Sequence, residues 1–216
     1  QAMLLFDNGS MRYPLITIEK ALEDVGLRDF AIVSAPLPYG RKTASQDHRA
    51  KFLHTALMNV ARLRFLGRAR AVLNADIDEL VWTDGATVFD KVANCSLGFA
   101  AFAGEWRYPR PGLKRPATHN DHDHVCRQSK PCPAKYCIAP RGPLGWLSWD
   151  VHRLIGLPFK KWFRRSDIGY LHCHRITTDW KDLPPRHGHP PARVALEELE
   201  LNHDPRTRVV LDRAAE

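Results

Sequence analysis

Asp76, Asp78 and Glu79 fall within four positions in the stretch VLNADIDELVW, residues 72–82. Apolar and small residues lead into the three carboxylates, so a strand that reads as buried runs straight into negative charge. Bare carboxylates crowded in a partly dry site repel one another. A divalent cation removes the conflict most simply. Asp76 and Asp78 stand two apart, so a regular strand would point both to one face, whereas a loop could splay them around one ion. Mg2+ or Mn2+ takes one or two carboxylates, with substrate phosphates and waters completing the shell. The plainer alternative is an acidic corner in which Asp78 or Glu79 caps the following turn.

Alternating elements must carry that cluster. AMLLFDN reads as a short buried strand, and LITIEKALEDVGL as a helix with Ile18, Ala21, Leu22 and Val25 on one face, closed by Gly26. FAIVSAP is a second strand. SQDHRAKFLHTALMNVARLRFLG is the longest helical pattern, with Ser45 or Thr43 as N-cap and Gly67 as its end. ARAVLNADI is a third strand. Strand–helix–strand–helix–strand predicts an α/β fold with a mostly parallel, Rossmann-like sheet flanked by helices. Ligands of such sheets lie beyond the carboxyl ends of the strands, where Asp7, Asn8 and residues 76–79 fall. DGATVFDKVA suggests a short helix and LGFAAFAGEWRYP a strand leaving the core. Residues 107–143, rich in Pro, Gly, His and basic side chains, read as long loops. PARVALEELELN suggests a charged final helix.

The composition is that of an ordinary globular chain, with 44% hydrophobic and 26% charged residues. No apolar run approaches the roughly 20 residues that span a bilayer, so no transmembrane segment is expected, although peripheral membrane contact is compatible. The net charge of +8 favours anionic partners. Nucleic acid is not expected, because the basic residues are spread along the chain and form no recognition motif. Five cysteines are an odd number, which leans towards a reducing, cytoplasmic setting, with the inner face of a membrane compatible. The His/Cys-rich loop holds His119, His122, His124, Cys126, Cys132 and Cys137. Their spacing fits neither paired Cys-x-x-Cys nor a zinc finger, leaving structural Zn2+, a disulfide or a polar acceptor-binding lid as readings.

LLFDNGS followed at this distance by VLNADIDELVW resembles the A-type (GT-A fold) glycosyltransferases, closest to family-two-like members with DN-x-S and D-x-D-E motifs. Gln46, EWRYP, KYCIAPR and LHCHRITTDWK add weaker matches, and the resemblance covers residues 4–181. It implies one domain with a nucleotide-binding half (1–90), an acceptor-side half (91–181) and a C-terminal helix or tail (182–216). The family begins with a strand that this chain lacks before its apparent second strand, so a missing first strand is expected.

Carried over, the resemblance places Asp7, Asn8 and Asp76 near the base and ribose, with Asp78 as the firmest metal ligand alongside Asp76. His172, or His174 on the same strand face, would complete the metal shell. Arg49, Lys51, Lys135 and Arg175 are candidates to meet the diphosphate. The implied ligands are Mn2+ or Mg2+ and a UDP- or GDP-sugar donor, and the implied acceptor is a glycan or glycoconjugate, as in surface polysaccharide biosynthesis. An inverting enzyme of this kind needs a carboxylate general base, and Asp150, then Glu105, then Asp167 are the candidates. Trp106, Trp146 and Trp149 are candidates to stack on sugars. A zinc-containing nucleic-acid or protein binding module and a nucleotidyltransferase are the alternatives.

Overall fold

The computed structural model describes residues 1–11, 13–27, 29–37, 52–129, 131–174 and 199–215. In chain order the first strands are β1 (Ala2–Asp7), β2 (Asp29–Ser34), β3 (Val72–Asn74), β4 (Glu79–Thr83) and β5 (Phe99–Arg107). They are followed by β6 (His124–Cys126), β7 (Cys132–Ile138), β8 (Trp149–Asp150), β9 (Arg153–Leu154), β10 (Arg164–Cys173) and β11 (Leu201–His203). The α-helices among the described residues are α1 (Leu15–Asp24), α2 (Phe52–Val60), α3 (Val88–Ala93) and α4 (Arg206–Ala215). The chain forms two compact units, residues 1–67 with 148–151 and residues 68–147 with 152–216.

In the first unit β1 and β2 pair in parallel from Ala2 opposite Asp29 to Asp7 opposite Ser34. Helix α1 is the crossover that parallel pairing requires. It ends as the sequence suggests: Gly26 takes φ +69° and its N–H bonds the Glu23 carbonyl. Helix α2 runs on into a π-helical turn over Ala61–Phe65, closed by the Leu66 N–H on the Ala61 carbonyl at 2.8 Å. Phe65 then meets Phe6 edge to face, with ring centroids 6.2 Å apart.

The second unit corrects the expected sheet. Its five strands lie in the order β3-β7-β5-β10-β4, and only the β5–β10 pair is parallel. The fold is therefore mixed α/β with a curled mixed sheet. β7, inside the stretch expected to be loops, is a near-central strand. CPAKYCI hides this because a proline and a lysine interrupt its apolar pattern. The expected final helix, PARVALEELELN, falls largely outside the described residues. Residues 201–203 form β11, which pairs with β6, and α4 follows at Arg206–Ala215, while residues 191–198 lie outside the described ones.

The curl follows from chain length. β3 and β4 are opposite edges of the sheet, yet the chain passes from Asn74 to Glu79 directly. Four strand spacings of about 4.8 Å separate the edges of a flat sheet by about 19 Å. Five residue steps reach about 18 Å only if fully extended, and the Glu79 N–H on the Asp76 carbonyl makes this connector a turn. The edges must therefore bend towards each other, which brings Lys135 of β7 and His172 of β10 to the same acidic connector.

Strand alternation sets the two faces. Ala100, Phe102, Cys137, Ile168 and Tyr170 form one core with Val88 and Val92 of α3. That helix lies inside the expected DGATVFDKVA and starts at Val88, with Thr87 Oγ1 accepting the Asp90 N–H at 3.1 Å. The Tyr170 ring lies flat over Gly104, where an added Cβ would sit 2.1 Å from it. Gly104→Ala must push the ring aside, so urea unfolding is expected to show a loss of about 1–3 kcal/mol; unchanged stability would mean the ring has room to move.

Candidate functional site

The conflict among three carboxylates has an internal solution. Lys135 is fully buried, and its Nζ lies 3.0 Å from Asp76 Oδ2 and 2.9 Å from Glu79 Oε2. Glu79 Oε2 also accepts the Asp76 N–H at 2.9 Å, so one carboxylate ties the turn and holds the ammonium. Burial is the largest influence on Glu79 and raises its pKa; the charge of Lys135 opposes it. Sequence reasoning placed Lys135 near a diphosphate, but its ammonium is enclosed between carboxylates. Its position in C-P-A-K-Y-C-I, two before the core residue Cys137, was the available signal, since period 2 puts both on one face.

Once Lys135 holds Asp76 and Glu79, Asp78 faces an imidazole instead. His172 Nε2 is 3.3 Å from Asp78 Oδ2, while its Nδ1 is buried without a hydrogen bond, 3.6 Å from Glu79 Oε1. The backbone fixes this pair, because the Cys173 N–H bonds the Asp78 carbonyl at 2.8 Å. Trp106 sits opposite His172 in register and stacks on its ring at 4.0 Å. His174 meets the same indole edge-on at 5.8 Å and the Tyr108 ring at 4.8 Å. Both histidines thus flank Trp106, and His172 reaches the acidic connector.

A carboxylate oxygen and an imidazole nitrogen are donors suited to Mn2+ or Mg2+. Their 3.3 Å separation is close to the roughly 3 Å between neighbouring ligands of an octahedral ion with bonds of about 2.1 Å. The buried Nδ1 of the same ring is without a hydrogen bond. The residues fit such an ion as a two-donor seat. Among the described residues no three His, Cys, Asp or Glu side chains already form a metal cluster.

The remaining candidates each have their own local partners. Asp7 accepts the N–H groups of Gly9 and Ser10 at 3.1 and 3.2 Å, shaping the turn after β1. Hydrogen bonding from Ser10 holds its carboxyl below the usual range. With its amide turned to donate, Asn8 reaches the Leu37 and Ala35 carbonyls at 2.7 and 2.9 Å. Asp150 belongs to the first unit, where its Oδ1 accepts from Thr55 Oγ1 and the Val151 N–H, each at 2.9 Å. Glu105 alternates with Trp106 and so projects from the opposite sheet face to His172. Arg206 grips it with two bonds of 3.0 and 2.8 Å, and Arg107 adds a third at 3.2 Å. Asp167 pairs with Lys91 and Arg165. Arg49, Lys51 and Arg175, with Thr43, Ser45, Gln46 and Trp180, lie outside the described residues.

The His/Cys loop does not converge. His122 directs Nδ1 at the Thr118 carbonyl and Nε2 at the His174 carbonyl, at 2.7 and 2.9 Å, so both ring nitrogens face backbone rather than the loop's cysteines. His119 Nε2 is 3.1 Å from the Ile77 carbonyl, and His124 Nδ1 is 2.7 Å from Asp123. The cysteines are unbridged. Burial pushes the Cys132 thiol up, and the Cys137 thiol up to about 12, away from the thiolate that zinc binds.

Lys135→Met would strand the Glu79 carboxylate, so a stability loss of about 3–5 kcal/mol at neutral pH is expected. Glu79 has a raised folded pKa, so its unfavourable charge is absent below the ordinary carboxylate range and present once pH exceeds the folded value. The gap between variant and wild type should therefore narrow as pH falls from 7 towards 4.5, read by urea unfolding across pH; a gap independent of pH would contradict it. Compared with known proteins, the chain matches no family model and no curated sequence.

Proposed function

We propose that the chain is a metal-dependent glycosyltransferase that takes a sugar from a nucleotide-sugar donor, a UDP- or GDP-sugar, to a glycan or glycoconjugate acceptor. The observation that carries this reading is the approach of Asp78 and His172 at the acidic connector, with Lys135 neutralising the two carboxylates beside them. Two protein donors are what a catalytic Mn2+ or Mg2+ needs when phosphates supply other ligands. The parallel β1–α1–β2 unit, whose first strand ends at Asp7 just before Asn8, supports an A-type nucleotide-binding fold as part of the same proposal.

In this reading Asp78 and His172 hold the ion, which when bound would stabilise charge developing on the departing diphosphate. Trp106 keeps the His172 ring in place from one face. Lys135 holds Glu79 and Asp76 in the turn, so that the positive charge there is fixed before substrate arrives. Glu105, committed to Arg206 and Arg107 on the other sheet face, suits a structural role.

A nucleoside diphosphate should raise the melting temperature only when Mn2+ or Mg2+ is present, and Asp78→Asn should remove that shift. Donor hydrolysis in a screen of nucleotide sugars with Mn2+ should fall about a hundredfold or more in Asp78→Asn and in His172→Ala. Hydrolysis or stabilisation independent of metal, or indifferent to both variants, would overturn the assignment.

A further inference from the structure

Far from the acidic connector, the second unit presents an apolar knob ringed by positive charge. The chain from Leu157 enters a 3-10 turn, Lys160–Phe163, that leads directly into β10. Phe159 and Trp162 are 67% and 80% exposed, and their rings stack on each other at 5.0 Å and 18°. Phe159 is the one non-glycine residue with positive φ among the described residues, at φ 47° and ψ 44°. Side chains other than glycine are rarely held there, and such strain persists only when surrounding structure imposes it. Here it turns an aromatic ring out into solvent. Phe163 is the anchor beneath, packed edge-on against Phe99 at 5.6 Å.

The charges around the knob have one sign. Lys160, Lys161 and Arg164 are exposed, and no carboxylate faces them among the described residues; Arg165 is held by Asp167. Beside the start of β5, Arg68, Arg70 and Arg141 line a cavity of about 400 Å3 next to Gly98, where Asp90 pairs with Arg70. Register sets this surface at the beginning of β5 and β10, since Arg164 pairs with Ala101. His172 lies eight residues further along β10, roughly 25 Å away.

We propose that Phe159, Trp162 and their basic surround form a docking surface for an anionic lipid bilayer. Aromatic side chains favour the headgroup level of a membrane, and lysine and arginine beside them are drawn to acidic lipids. The shape separates this from the other stacking partners. A base or a sugar is bound by rings that leave a face open in a groove, whereas these two rings cover each other and protrude. No described helix is long and apolar enough to cross a membrane, so the contact is peripheral. Lipid at this end leaves the acidic connector, at the other end of β10, open to solution.

The test is co-sedimentation of the full chain with vesicles of phosphatidylcholine alone and with about one-third phosphatidylglycerol. Binding should require the anionic lipid, weaken with salt, and fall at least about tenfold in Phe159→Gly combined with Trp162→Ala. Replacing Lys160, Lys161 and Arg164 with serine should abolish the preference for anionic vesicles. Both variants alter exposed positions and should keep the wild-type melting temperature; if the ring variant melts early, Trp162→Ser alone carries the same test. Failure to bind anionic vesicles, equal binding to neutral ones, or binding unchanged by the ring variants would overturn the proposal. So would binding to single-stranded RNA or a glycan that these variants abolish while vesicles are ignored.

Discussion

A buried ammonium decides the layout of the second unit. Lys135 lies inside the curled sheet with Asp76 and Glu79 around it. Removing an ion from water costs several kcal/mol even after relaxation, so this lysine is tolerable only because two carboxylates meet it. The converse also holds, because the carboxylates crowd the turn only with the ammonium there. β7 delivers the lysine, β4 delivers Glu79, and the short connector between β3 and β4 delivers Asp76. The ion pairs thus tie the two edges of the sheet to a strand near its centre. Register across the sheet depends on them, since a one-residue slip of β7 would turn Lys135 to the other face.

That interaction also sorts the acidic residues by role. Glu79 is committed to the lysine and the turn. Asp76 shares the lysine from a half-exposed position. Asp78 is left to an imidazole that Trp106 holds by stacking. On the reverse face Glu105, Arg107, Asp204 and Arg206 form a second charged group that fastens the start of α4 to β5. Two acidic groups on one sheet therefore differ in character. The reverse-face group is balanced by its own arginines, and the connector keeps one carboxylate–imidazole pair at its edge.

Local signals in the sequence were legible and long-range ones were not. Helix α1 follows from apolar spacing and Gly26, and α3 from the short pattern DGATVFDKVA, because caps and periodicity act within a few residues. The acidic connector was readable from its three carboxylates, whereas spacing along a strand puts His172 and His174 on one face and does not choose between them. The direction of β3 was not, since nothing in VLN states whether its neighbour runs parallel or antiparallel. β7 was missed because a lysine in the middle of a strand reads as exposed, and burial of Lys135 is explained only by residues 56 or more positions away. The knob at Phe159 and Trp162 was missed for a related reason. Aromatic residues in a sequence look like core, and only the fold shows these two turned outward.

The most direct measurement of the central claim is an anomalous difference map from a crystal soaked with Mn2+ and a nucleoside diphosphate. The expected result is one manganese peak bonded to Asp78 and His172, with Lys135 still held by Asp76 and Glu79. Manganese seated on Asp76 and Glu79 with Lys135 displaced, or no peak at the connector, would contradict it.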